Sequence, residues 1–142
     1  MDHALRVLEF ASVLQALAER CESPLAADLA LDLLPSFDAK EVADRQAKTA
    51  EASSYLDSDA PPHLHAIRDL RREIERASKG GDLDGRSLYR VGEAMAAMRT
   101  LRTALFQRER FPVLSAKAEF LVDAPALEDR LLRSLDSDGE VL

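Results

Sequence analysis

Tryptophan is missing from this chain, cysteine occurs once, and aromatic residues make up only 5% of its 142 positions. A single cysteine rules out an internal disulfide framework. Cys21 stands where an apolar helical pattern ends, no His/Asn pattern of a nucleophile accompanies it, and it reads as a small buried hydrophobe. Val, Ile, Thr and aromatics, the residues that sheets favour, are scarce. No apolar run nears the roughly 18 residues needed to cross a bilayer. The opening stretch MDHALRV lacks the basic segment and apolar run of a secretory signal. A cytoplasmic protein with no membrane partner is therefore expected. Catalytic patterns are also missing: no G-x-x-x-x-G-K-[ST], G-x-S-x-G or H-E-x-x-H, and no Cys/His zinc spacing. No catalytic residue and no metal ligand is assigned.

What is present is leucine and alanine, both strong helix formers. Hydrophobic residues reach 46% and charged residues 32%, a globular composition. The net charge is −7, a poor overall surface for nucleic acid. The charge is uneven: residues 66–110 carry eleven Lys/Arg against seven Asp/Glu, and the remainder carries eight against nineteen.

Periodicity predicts about seven helices. Residues 3–21 show an apolar face through Val7, Phe10, Leu14, Leu17 and Cys21, with a break near Leu8-Glu9-Phe10 and Ser12 available as a cap. Ser23-Pro24 restarts the chain, Leu25, Leu29, Leu33 and Leu34 form the expected buried stripe, and Pro35 ends it. Asp38 and Glu41 make a capping-box pattern for an alanine-rich helix to about Leu56. After the loop DSDAPPHLH, helices are predicted over 66–78, ending at Gly80-Gly81, and over 86–109, about 36 Å long. Leu88, Val91, Met95, Met98, Leu101 and Leu105 line the core face of the long helix. Shorter helices follow over 113–121 and 125–135. The fold class is all-α, a multi-helix antiparallel bundle forming one domain over residues 1–142.

Several local patterns invite chemistry and have plainer explanations. His63 and His65 have no third ligand nearby. Asp136-Ser137-Asp138-Gly139 and Asp82-Leu83-Asp84-Gly85 lack the alternating ligands and final Glu of a calcium loop, so they read as turns and caps. Arg68, Arg72 and Arg76 recur every four residues on one predicted helix face, and Arg99 and Arg102 lie one turn apart on the long helix. These five are the candidate nucleic-acid contacts. Interspersed Asp69, Glu73 and Glu75 favour an ion-paired, solvated face instead. An alternative function is a free-standing helical adaptor that offers Met95 and Met98 to a partner helix.

Taken in order, the segments resemble the N-terminal region of bacterial MutS-two, the MutS ATPases without mismatch-reading domains. The resemblance rests on Leu8-Glu9-Phe10, on Ser23, Leu25, Leu33 and Pro35, on Pro61-Pro62, on Ile67-Arg68-Asp69-Leu70-Arg71, on Lys79-Gly80-Gly81, and on Asp138-Gly139-Glu140-Val141. It implies part of a MutS-like core and lever domain, at the start of a longer chain. It further implies that ATP and Mg2+ bind elsewhere in that longer chain, in an ATPase usually followed by a nuclease. The implied partners are the lever and ATPase domains of the same chain, a second full-length copy, and branched DNA or a collided ribosome. The implied roles are suppression of recombination and ribosome rescue.

Overall fold

The computed structural model describes residues 6–58, 64, 67–106 and 109–142. Among these residues seven helices are found and no strand, so the all-α class holds. They are α1 Phe10–Ala18, α2 Pro24–Leu31, α3 Ala39–Leu56, α4 Arg71–Ser78, α5 Gly85–Leu105, α6 Pro112–Ala118 and α7 Pro125–Ser134. His63 and His65 lie outside the described residues. The chain divides after Phe37 into two compact units.

In the first unit α1 packs on α2. The expected break falls at Leu8-Glu9, after the helical residues Arg6 and Val7. Glu9, not Ser12, opens α1, and it does so in the left-handed region at φ 49 with no side-chain cap. Ser12 lies inside the helix. Ser23 caps α2 as expected: its hydroxyl accepts from the Ala26 amide at 3.2 Å, with Pro24 at the first helical position. The leucine stripe is not buried as expected. Leu29 is 70% and Leu34 62% exposed, and the buried residues are Ala18 and Ala30. Periodicity marks this face as apolar, and among the described residues nothing covers it. Cys21 is half-buried, its thiol directed at the Leu17 carbonyl.

The second unit is organised around α5. Asp84 begins this helix by accepting from the Ser87 amide at 2.7 Å. Its predicted core face is buried or half-buried throughout, with Met95 buried and Met98 half-buried. The helix packs against both α6 and α7. Gly92 makes the second contact possible: a Cβ there would meet Leu132 Cδ2 at 2.9 Å. The helix ends at Leu105, short of the expected 109. Its last carbonyl is taken up by Ser115, whose hydroxyl donates to Leu105 O at 2.6 Å.

Helix α3 is capped by Asp38, which accepts from the Lys40 and Glu41 amides. Its alanine-rich middle is exposed, and Tyr55 is its buried residue. Tyr55 meets Phe111 edge-on, ring centroids 5.2 Å apart, and Arg110 lies over the Phe111 face. Helix α6 has no cap of its own at Phe111. Glu51 supplies one from 62 residues away, accepting from the Val113 amide at 2.9 Å and the Leu114 amide at 3.0 Å. An ionised acceptor at a helix N-terminus satisfies donors that the helix itself leaves unpaired.

Candidate functional site

The candidate basic residues separate into two groups. On α5, Arg99 turns its guanidinium onto Glu128 in a two-pronged bond, Nε to Oε2 at 2.9 Å and Nη2 to Oε1 at 2.8 Å. Glu128 is 8% exposed and sits in the first turn of α7. The Arg99 guanidinium holds its carboxyl below the usual range for a glutamate, and Glu128 in turn raises Arg99. One turn further along α5, Arg102 pairs with Asp123, just before α7 begins. Both carboxylates thus lie at the positive end of α7, where the helix dipole favours negative charge. Arg99 and Arg102 are committed to bracing α5 against α7.

Arg68, Arg72 and Arg76 do not share a helix face. The expected helix over 66–78 starts only at Arg71, and Arg68 precedes it. The cause is Asp69. Its carboxylate accepts from the Arg71 amide at 3.0 Å and forks the Arg71 guanidinium, fixing a turn where the helix was expected to run on. Those bonds hold the Asp69 pKa down to about 2. Arg68 stands 3.7 Å from Glu93. Arg72 and Arg76 are exposed on α4, with no carboxylate at salt-bridge distance among the described residues. Helix α4 has no extensive contact with another described helix. It is tied to α5 by Arg90 and the nearly buried Glu73, and it ends at Gly80 with φ +75 and the Gly81 amide bonded to Arg76 O.

The C-terminal turn is also built onto α5. Asp136 accepts from the amides of Asp138 and Glu140, and Gly139 adopts φ +85. Gly139 lies backbone-to-backbone against Gly85, where a Cβ on Gly85 would come within 2.0 Å of Gly139 O. Arg86 reaches Asp138 at 2.8 Å. A single antiparallel bridge joins Leu135 and Val141. Turn chemistry was therefore the right reading of Asp136–Gly139, and Asp84 is a cap. Among the described residues no three His, Cys, Asp or Glu side chains gather to hold a metal ion, and no helix is long and apolar enough to cross a membrane.

Glu51 and Glu128 were not singled out from the sequence. Glu128 carried a usable signal, an acid in the first turn after Pro125. Glu51 carried none, because its partners are far along the chain.

Comparison with known proteins gives these positions a context. The chain is 35% identical over 140 residues to Endonuclease MutS2 of Symbiobacterium thermophilum, across 99% of its own length. The chain is homologous to a segment of Endonuclease MutS2. Identity is 34% to the MutS2 of Geobacillus thermodenitrificans, across 97% of this chain, and 31% to that of Clostridium beijerinckii, across 99%. The chain spans about 18% of the length of each of these MutS2 relatives. No family model matches it. The residues on which the MutS2 resemblance rests are mostly helix boundaries. Glu9 opens α1, Ser23 caps α2, Asp69 starts α4, Gly80-Gly81 closes it, and Gly139 seats the final turn on Gly85. The residues that carry the resemblance thus mark where helices of this chain start and stop.

Proposed function

We propose that this chain is the N-terminal helical part of a MutS2-like DNA-processing protein. Its work is mechanical: it joins an ATPase to levers that clamp branched DNA or a collided ribosome, and it performs no chemistry itself. In this reading ATP and Mg2+ bind elsewhere in the longer protein, which acts as a homodimer. It suppresses recombination, splits stalled ribosomes, or does both. The observation that carries the reading is the double brace of Arg99 and Arg102 between α5 and the start of α7, on a chain homologous to MutS2 throughout. Two adjacent ion pairs and a glycine-mediated helix contact make a unit that moves as one body, as transmission of a small displacement requires. Arg72 and Arg76 are the residues left to approach a phosphate backbone.

The test exchanges the matching segment of the Symbiobacterium thermophilum relative for this chain. The chimera is expected to hydrolyse ATP and to change its DNA affinity with nucleotide state. Arg99→Met, in the same chimera, is expected to keep ATP hydrolysis and blunt that change. Unaltered coupling in the variant overturns the mechanical role, as does turnover of DNA or ATP by the 142-residue chain alone.

A further inference from the structure

The first unit has an apolar cleft that its described residues leave open. Phe10 and Leu14 of α1 and Leu31 of α2 line it, with Glu9, Asp32 and Arg6 at its edge, around a volume of about 1040 Å³. A unit of 37 residues is below the roughly 40 at which a domain commonly folds without disulfides, metals or association. Among its described residues the buried ones are two alanines, while Val13, Leu29 and Phe37 are 56%, 70% and 88% exposed. Of the charged residues that line the cleft, Glu9 and Asp32 are acidic and Arg6 is basic. Glu9 and Asp32 hold no ion pair among the described residues, and Glu9 keeps a left-handed backbone that a non-glycine residue rarely adopts. Strained residues tend to gather at ligand clamps.

The geometry points to a docking site for an amphipathic helix of a partner protein, with an aliphatic stripe and a Lys/Arg rim. The stripe fills the cleft between α1 and α2, in the helix-in-groove mode with anchors at i, i+3 or i+4 and i+7. The rim meets Glu9 and Asp32. A second copy of this chain is the poorer occupant, because it brings a like-charged face against an acidic one. All its lining residues belong to the first unit, and the inference does not depend on the MutS2 reading.

The experiment uses the 142-residue chain and two labelled synthetic helices with one leucine stripe, rimmed by Lys/Arg in one and by Glu in the other. Fluorescence anisotropy is expected to show saturable one-to-one binding of the basic helix. That binding is about tenfold or more tighter than for the acidic helix and weakens as salt shortens the Debye length. Leu31→Asp is expected to abolish binding. Should that variant fail to fold, the isosteric pair Glu9→Gln and Asp32→Asn keeps the test alive: several-fold weaker binding with an unchanged circular dichroism spectrum is expected. Equal affinity for the two helices, or no loss in the isosteric variant, overturns the proposal. A concentration-dependent dimer in sedimentation velocity that releases the peptide also overturns it, since the occupant would then be a second copy.

Discussion

The two units are built from the same residues, helices rich in leucine and alanine, and they differ in what lies beneath them. The first buries Ala18 and Ala30 and shows its larger apolar side chains to solvent. The second buries Phe111, Met95, Ala94 and Ala118, and ties its helices together with Glu51, Arg99 and Ser115. Helix propensity does not separate them. The difference is long-range: the second unit has bonds between helices whose partners lie far apart in sequence, from 10 positions for Ser115 to 63 for Glu51. A helix pair of the first kind holds its shape by local signals and leaves the hydrophobic gain to an external partner. A bundle of the second kind secures that gain internally.

The sharpest way to break this comparison is to remove one large side chain from each unit. Phe111 is 1% exposed, stacks edge-on with Tyr55 and begins α6. Phe111→Ala is expected to destabilise the second unit by about 3–5 kcal/mol, the range for a buried aromatic truncated to alanine. Leu29→Ala, at 70% exposure, is expected to change stability by no more than about 0.5 kcal/mol. Urea titrations followed by circular dichroism read both. Equal losses at the two positions would show that the first unit has a real core after all.

A smaller effect sharpens the comparison through pH. The folded Glu128 carboxyl lies below its unfolded pKa because Arg99 bonds to the charged form. Its contribution is therefore fully present above the unfolded value and is lost as pH falls through the folded one. Asp69, held to about 2, behaves in the same sense at lower pH. Glu128→Gln is expected to lower the melting temperature at pH 7 and to match the parent once the pH is well below the ordinary carboxylate range. A constant gap across that range would assign the loss to packing rather than to the ion pair.

Much of this fold was legible because its signals are local. Ser23-Pro24, Asp38, Asp84 and Gly80 each act within four residues, and each sits where its chemistry placed it. The apolar periodicity of α5 also survived, since a helix packed by α6 and α7 needs the whole face it encodes. The leucine stripe of α2 misled, because periodicity tells which face is apolar and not whether anything covers it. The basic residues misled for a related reason. Arg68, Arg72 and Arg76 at helical spacing look like one face and Arg99 and Arg102 like a second, yet Asp69 removes Arg68 from the helix, and Glu128 and Asp123 turn Arg99 and Arg102 toward the start of α7. No spacing rule reveals a partner 29 or 21 residues away.

A small effect of the opposite sign is expected in the first unit, at Glu9. Its φ of 49 places Cβ in a region where an L-residue is disfavoured by roughly 1–2 kcal/mol relative to ordinary helix geometry, whereas glycine enters it freely. Part of that relief is offset by the greater freedom of glycine in the unfolded chain. Glu9→Gly is therefore expected to stabilise by less than about 1 kcal/mol, read as a small upward shift in the urea midpoint. Since Leu8-Glu9 separates Arg6-Val7 from α1, the gain belongs to the break itself. A stabilisation confirms that local backbone geometry shapes the first unit. A loss would mean that the Glu9 side chain contributes more than its backbone strain removes, and the two units would then be less different than their cores suggest.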